Sequence, residues 1–100
     1  MTLEGRLTEL AAEAADVQVT DKHEYSRAGT VFAVNPSAKV IEVRLGPEIA
    51  EAAQRTPDTS PSARGEAWVR FEPRDWDDHA RDRLDAWFRV AWKLAAAQGE

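Results

Sequence analysis

The sequence predicts an α+β fold, in which an antiparallel sheet of about four to five strands packs against three helices. Apolar residues recur at helical spacing near both ends of the chain and, over a shorter stretch, in its middle. Between these stretches the pattern changes to alternation, and turn residues separate the alternating segments. Because those segments follow one another through short turns, we expect antiparallel pairing, with the helices covering one face.

The composition is that of one ordinary soluble domain. The chain has 100 residues, of which 43% are hydrophobic and 31% charged, so we expect a single domain over residues 1–100. It contains no cysteine, which excludes disulfides and thiolate metal sites and fits a cytoplasmic location. The acidic N-terminal stretch argues against a signal peptide, and no apolar run is long enough to span a membrane.

The first half of the chain predicts one helix followed by strands. Leucines and alanines form a helical stripe over residues 3 to 15, and Thr2 is placed to cap this helix. Four segments then favour strands: "VQV", "HEYSR", "TVFAV" and "VIEVRL". Turns are expected at Asp21-Lys22, at Ala28-Gly29 and over "NPSAK".

The second half predicts a short helix, a loop, a strand and a long helix. The short helix begins at Pro47, which has no N–H to leave unpaired, and ends before Thr56-Pro57. An exposed loop is expected over residues 57–65, and "EAWVRFE" alternates as a strand should. The long helix is expected from about Asp75 to Ala97. Its apolar stripe comprises Trp76, Ala80, Leu84, Trp87, Val90, Ala91, Leu94 and Ala95, with Phe88 at the edge.

Four short motifs within residues 20–97 match the pattern of a known family. They are Phe32-Ala33 in a strand, the "LGPE" of residues 45–48, Trp68-Val69 in a later strand, and the closing helix "LDAWFRVAWKLAAA". Together they resemble the MmcQ/YjbR-like small α+β domains. The resemblance implies that family's fold, and it implies the nucleic-acid-binding role suggested for some members. The chain departs from the family at Glu66-Ala67, where glycine usually precedes the tryptophan.

A set of polar and aromatic side chains is expected on the sheet face away from the core. The set comprises Glu42, Arg44, Trp68, Arg70 and Glu72, joined by His23, Tyr25 and Arg27 if residues 23–27 form a strand. Arginines around a tryptophan can bind a small anionic ligand, a protein partner or single-stranded nucleic acid. The alternative is a solvated face with Arg–Glu pairs that stabilise little. The predicted contact set is Tyr25, Arg27, Arg44, Trp68 and Arg70.

The margin of the last helix is a candidate for self-association. Trp92 lies beyond the apolar stripe beside Phe88, and tryptophan is enriched in interface hot spots. Alternatively, the N-terminal helix covers Trp92 and the pair belongs to the core. The chain is accordingly expected to be a monomer or a homodimer.

The stretch "DWDDHARD", residues 75–82, has two interpretations. On a helix, Asp75, His79 and Asp82 would point roughly one way and could hold a divalent ion. The favoured interpretation is structural: Asp75 caps the helix, the first turn is acidic, and Asp77, Arg81, Asp85 and Arg89 form an ion-pair row. On that interpretation no metal ligand or cofactor is predicted.

The sequence favours a binding module over an enzyme. It has no nucleophile elbow, no phosphate-binding glycine loop and no zinc-protease motif, and its two histidines lie in separate elements. The formal net charge of −5 disfavours nucleic acid, since phosphate contacts need a basic field. We therefore expect a non-catalytic module that binds a ligand or protein around Trp68. Nucleic-acid binding is the alternative, and a small enzyme or metal protein is third.

Overall fold

The computed structural model describes residues 2–20 and 22–98, which form three helices and six strands. The predicted turn at Asp21-Lys22 therefore lies partly outside the described residues. The elements in chain order are α1 (Leu3–Glu13), β1 (Val17–Val19), β2 (Glu24–Arg27), β3 (Thr30–Ser37), β4 (Val40–Arg44), α2 (Pro47–Ala53), β5 (Thr59–Pro61), β6 (Trp68–Phe71) and α3 (Asp78–Gln98).

The strands form one antiparallel sheet in the order β1-β2-β3-β4-β6-β5. The predicted α+β class is confirmed, and the expected four to five strands are close to the observed six. The additional strand, β5, lies within the stretch that the sequence predicts as a loop. Its pairing with β6 joins Thr59 to Phe71 and Pro61 to Val69, and this pairing places β6 inside the sheet rather than at its edge.

Two hairpins set the register of the central strands. The turn between β2 and β3 is Ala28-Gly29, as predicted, and both residues have positive φ angles of 53° and 83°. Such angles match the right-handed twist of a two-residue hairpin. The next turn comes later than predicted, because β3 continues through Asn35 to Ser37. The buried Asn35 amide donates hydrogen bonds to the carbonyls of Ser37 and Val40, which close this second hairpin.

A β-bulge in β3 turns two adjacent residues toward the helices. Tyr25 pairs with Ala33 and Ser26 pairs with Val31, so Phe32 is an extra residue on β3. Phe32 and Ala33 are both buried in the same core. The bulge thus places a phenylalanine against α3 at a point where strict alternation would turn one of the two residues away.

The helices begin where local capping chemistry predicts, with one exception. The Thr2 side chain accepts a hydrogen bond of 3.0 Å from the Gly5 N–H, and Pro47 is at the start of α2. The exception is α3, for which Asp75 was the predicted cap. The carboxylate of Asp77 accepts from the Ala80 N–H at 2.9 Å, so the cap lies two residues later. The prediction for Asp75 is wrong because alternative aspartates in one short stretch look equivalent in sequence.

One core lies between the sheet and the three helices. Its members from α1 are Leu3, Leu7 and Leu10, and α2 contributes Ala50 and Ala53. The buried stripe of α3 comprises Ala80, Leu84, Phe88, Ala91 and Ala95.

The stripe of α3 is rotated from the predicted one. Phe88, expected at the edge, is at the centre, where its ring lies 5.3 Å from Phe32 and 6.2 Å from Tyr25 in edge-to-face geometry. Trp87 was expected in the middle of the stripe. It is half-buried instead, and its ring lies 5.1 Å from that of Phe71.

Within residues 2–20 and 22–98, no helix is both long enough and apolar enough to span a membrane. Even α3, the longest, is not apolar enough over a sufficient length to cross a bilayer.

Candidate functional site

The sheet face opposite the helices carries the predicted tryptophan. Register pairs Trp68 with Arg44 and Arg70 with Glu42 across β4 and β6, so these four side chains share a face. The residues that alternate with them, Val43 and Val69, are fully buried in the core. We call the surface formed by Glu42, Arg44, Ser62, Arg64, Trp68, Arg70 and Glu72 the Trp68 face.

Glu42 is the most buried charged group on the Trp68 face, with 8% of its surface exposed. Its carboxylate accepts from the Arg64 Nε at 2.8 Å and from the Ser62 hydroxyl at 3.1 Å. The Arg64 N–H in turn donates to the Ser62 hydroxyl, which holds the loop that follows β5 over the end of the face. A carboxylate in the middle of a sheet needs such partners, because an unpaired buried charge is costly.

Sequence reasoning missed Arg64 as a member of this face. It lies 22 residues from Glu42, in a stretch that reads as an exposed loop. Glu42 itself indicated that such a partner exists, since a charged residue at the centre of a strand is rarely buried without a partner of opposite charge.

Trp68 is half-buried and surrounded by arginines. The Arg64 guanidinium lies 5.6 Å from the centre of its ring, within the range of a cation–π contact. Arg70 pairs with Glu72 at 3.4 Å, and both side chains are largely exposed. Arg44, directly opposite Trp68 in the register, also has an interaction partner. The face therefore combines one aromatic surface with guanidinium groups that are already engaged.

Tyr25 and Arg27, predicted to join this face, lie on the other side of the sheet. Tyr25 is buried against Phe88, and burial raises the pKa of its phenol, with a smaller contribution from the charge of Glu4. Arg27 extends toward α3, where its guanidinium stacks on Trp92. The prediction that these two residues share a face with Trp68 is wrong. The alternation of β2 does not by itself show which of its sides faces the helices, and the sequence does not reveal the bulge in β3 beside it.

Phe88 and Trp92, the predicted self-association pair, both make contacts within the chain. Phe88 is 1% exposed and is not accessible to a partner. The Trp92 indole N–H donates to the carbonyl of Ala15 at 2.8 Å, just beyond the end of α1. The alternative in which the N-terminal segment covers Trp92 matches this geometry.

A buried ion pair ties α1 to α3. Arg6 donates to the carboxylate of Asp85 through Nε at 2.8 Å and Nη2 at 2.7 Å. These hydrogen bonds lower the pKa of Asp85 and raise that of Arg6, although burial acts in the opposite direction for each group. Asp85 belongs to the row predicted along α3, and the charges of Arg81 and Arg89 lower its pKa further, but its hydrogen bonds go to Arg6 of α1.

The acidic stretch around His79 lines a shallow cleft. The cleft has a volume of about 540 Å³ and is lined by Thr56, Pro57, Asp58, Asp75, Asp77, His79, Asp82 and Arg83. Asp75 precedes α3 and so does not share a helical face with His79 and Asp82. In residues 2–20 and 22–98, no group of three or more histidine or acidic side chains has a geometry that could hold a metal ion.

Comparison of the chain with models of protein families, with curated proteins and with solved structures found no match. The resemblance to the MmcQ/YjbR-like domains thus stays a prediction from its motifs.

Proposed function

We propose that this chain is a non-catalytic binding module and that its Trp68 face binds an acidic segment of a partner protein. The observation that carries the proposal is the half-buried Trp68, set among Arg44, Arg64 and Arg70 on a face that the helices leave uncovered. Large aromatic side chains and arginines are the residue types most enriched in binding hot spots. A cytoplasmic location, suggested by the cysteine-free sequence, is part of the proposal.

The proposed partner is acidic because Arg70 can exchange its present ion pair. Arg70 and Glu72 are 3.4 Å apart, with side chains that are 40% and 58% exposed. Exposed pairs of this kind contribute little, so a carboxylate of a partner could replace Glu72 at small cost. An apolar side chain of the same partner segment would then cover the exposed part of Trp68.

Nucleic acid is the competing occupant, and the charge of the whole molecule disfavours it. The formal net charge is −5, so a polyanion meets repulsion before it reaches any local group of arginines. A short acidic peptide carries fewer charges and offers apolar contacts in addition. The two occupants also differ in salt dependence, which is steep for nucleic acid.

The test is a titration followed by the NMR signals of the four tryptophan indole N–H groups, assigned with single Trp→Phe variants. The probes are a glutamate-rich peptide containing one phenylalanine and, separately, a thymidine oligonucleotide. We expect the peptide to move the Trp68 signal and the backbone signals of β4 and β6. Preferential binding of the oligonucleotide would establish the nucleic-acid alternative, and no response to either probe would refute both.

Two matched arginine variants decide whether the binding is local. Arg70→Gln should weaken peptide binding by about tenfold, as expected for a hot-spot residue. Arg55 forms another exposed ion pair, in which its guanidinium lies 3.6 Å from the carboxylate of Glu51 on α2. Arg55→Gln also removes one positive charge, but it should leave peptide binding almost unchanged. Equal weakening by both variants would mean that the peptide responds only to overall charge.

A further inference from the structure

A second cluster, on the opposite side of the sheet, joins Arg27 to Trp92. The guanidinium carbon of Arg27 lies 3.6 Å from the centre of the Trp92 ring. Its Nη1 donates to the Trp92 carbonyl at 3.1 Å, and the indole N–H is held by the Ala15 carbonyl. Each partner fixes the orientation of the other, so the guanidinium is held in place before any ligand arrives.

Arg27 retains hydrogen-bonding capacity in this position. Stacking uses the flat face of the guanidinium and leaves its in-plane N–H donors available. One donor reaches Trp92, and no carboxylate among residues 2–20 and 22–98 forms an ion pair with Arg27. The buried Arg6 and the half-buried Arg83 differ from it, since Arg6 pairs with Asp85 and Arg83 donates to the Pro57 carbonyl.

Arg27 lines a cleft of a size that suits a small molecule. The cleft has a volume of about 840 Å³ and lies where the end of α1, the strand β1 and α3 meet. Pockets for small ligands usually measure about 300–1,000 Å³. The cleft is lined by the polar residues Asp16, Gln18 and Arg27, and by Val17, Ala11, Ala12, Ala14, Ala28 and Ala96. Short apolar side chains leave room for the body of a ligand beside the guanidinium.

Asp16 restricts the charge that this cleft can accept. It lines the same cleft, and the carbonyl ends of α1 add negative potential. A ligand with two or more negative charges would be repelled, whereas a single carboxylate can be held by two N–H groups of one guanidinium.

From these contacts we infer that Arg27, held in place by Trp92 outside the cleft, is the carboxylate-binding group of a site for small monocarboxylates with an apolar body. The carboxylate accepts hydrogen bonds from the in-plane donors of Arg27, and the apolar body lies against the alanines of the cleft. This site lies on the other side of the sheet from the Trp68 face, and the inference does not depend on the function proposed for that face.

The first experiment compares three probes by the NMR signal of the Trp92 indole, which is assigned with Trp92→Phe. Hexanoate should shift this signal in a saturable way. Hexanol, which has the same apolar body without the charge, should bind at least about tenfold more weakly, since a charge-assisted hydrogen bond is lost. Inorganic phosphate should bind weakly or not at all. Equal binding of hexanol, tighter binding of phosphate, or no shift with hexanoate would each overturn the inference.

The second experiment uses arginine variants whose melting temperatures are measured first. Arg27→Gln keeps a polar side chain with N–H groups but removes the charge, and it should weaken hexanoate binding about tenfold. Arg27→Lys keeps the charge and should bind hexanoate more tightly than the glutamine variant. Arg55→Gln, which removes a positive charge just beyond the end of α2, should bind as the unmodified chain does. Unchanged affinity in Arg27→Gln would contradict the proposed role of Arg27, and the hexanol comparison decides the matter if that variant does not fold.

Discussion

Asp75 and Asp77 show at the scale of single residues how position decides the role of a side chain. Asp77 accepts from the Ala80 N–H at 2.9 Å, and its own carbonyl accepts from the Arg81 N–H. Its side chain therefore satisfies one donor in the first turn of α3, the Ala80 N–H, that no helical carbonyl can reach. Asp75 lies two residues before this cap.

Replacing these two aspartates separates capping from general acidity. Asp77→Ala should lower the free energy of unfolding by about 1 kcal/mol, because a helix N-terminal donor loses its partner. Asp75→Ala removes the same charge from outside the helix and should change stability far less. Urea denaturation of both variants measures the difference. Equal losses would show that Asp77 acts through charge alone.

Individual residues were predictable where the responsible contact is short in sequence. The Thr2 cap and the Pro47 helix start depend on neighbours within one helical turn, so the sequence contains what is needed. Arg64 and Tyr25 were not predictable, because their environments depend on partners 22 and 63 residues away, Glu42 and Phe88. The part of the candidate site on β4 and β6 followed from alternation alone.

At the scale of elements, the Arg6–Asp85 pair joins helices α1 and α3. Both side chains are largely buried, at 8% and 16% exposed. Removing Asp85 leaves the largely buried Arg6 with only its longer contact to Glu9, at 3.8 Å, which compensates its charge poorly. Docking of α1 on α3 therefore depends on this pair as well as on the leucines of α1.

Asp85→Asn should lower the free energy of unfolding at neutral pH by about 3 kcal/mol, because the buried Arg6 loses its closest carboxylate and keeps only the longer contact with Glu9, at 3.8 Å. The folded pKa of Asp85 lies below the ordinary value of 3.8, so the stabilisation is fully present above that value. It is lost as the pH falls through the folded pKa. Stability measured against pH should thus show the two proteins converging below about 3.8.

The control for this pair is Glu51→Gln on α2. It removes an exposed ion pair with Arg55, in which the side chains are 75% and 78% exposed, and should have little effect at any pH. A difference between the unmodified chain and Asp85→Asn that stayed constant down to low pH would show that the ion pair is not its cause.

Elements were predictable to different degrees, depending on whether their stability is local. Helices α1 and α2 and strand β4 have clear periodicity and ends, and they occur near the expected positions. Strand β5 has no clear periodicity in the sequence. It forms only because β6 supplies hydrogen-bonding partners for Thr59, Ser60 and Pro61. The stripe of α3 was placed around Trp87 rather than Phe88, since its orientation depends on the bulged strand beneath it.

At the scale of the whole molecule, the two edges of the sheet differ. The edge strand β5 contains Pro61, which lacks an N–H and so hinders pairing with another strand. The edge strand β1 has no proline or charge within Val17–Val19, and Val19 is 52% exposed. Association between molecules through strand pairing should begin at β1.

Val19→Lys should slow aggregation at raised temperature without lowering stability, because a lysine on an edge strand disfavours edge-to-edge pairing. Ile49→Lys is the matched control, since Ile49 is 44% exposed on α2, away from either edge. Light scattering during heating compares the two. An equal slowing by both would point to charge or hydrophobicity in general rather than to the edge of the sheet.

The fold class of the whole molecule could be predicted from the change in periodicity along the chain. The strand order could not, because β6 enters between β4 and β5 and no local pattern records that insertion. The location of Arg27 and Trp68 on opposite faces of the sheet was also not predictable, because it depends on which face the helices cover.

The contacts that hold α1 reach far along the chain: Arg6 bonds a residue 79 positions away, and Trp92 bonds one 77 positions back. During synthesis on the ribosome, α1 emerges before α3, the helix that covers its leucines. An isolated helix of 11 residues is only marginally stable in water. Its apolar side therefore stays exposed to solvent while the strands are being synthesised. Nascent chains should therefore expose Leu3, Leu7 and Leu10 to chaperones until residues 84–92 have left the exit tunnel.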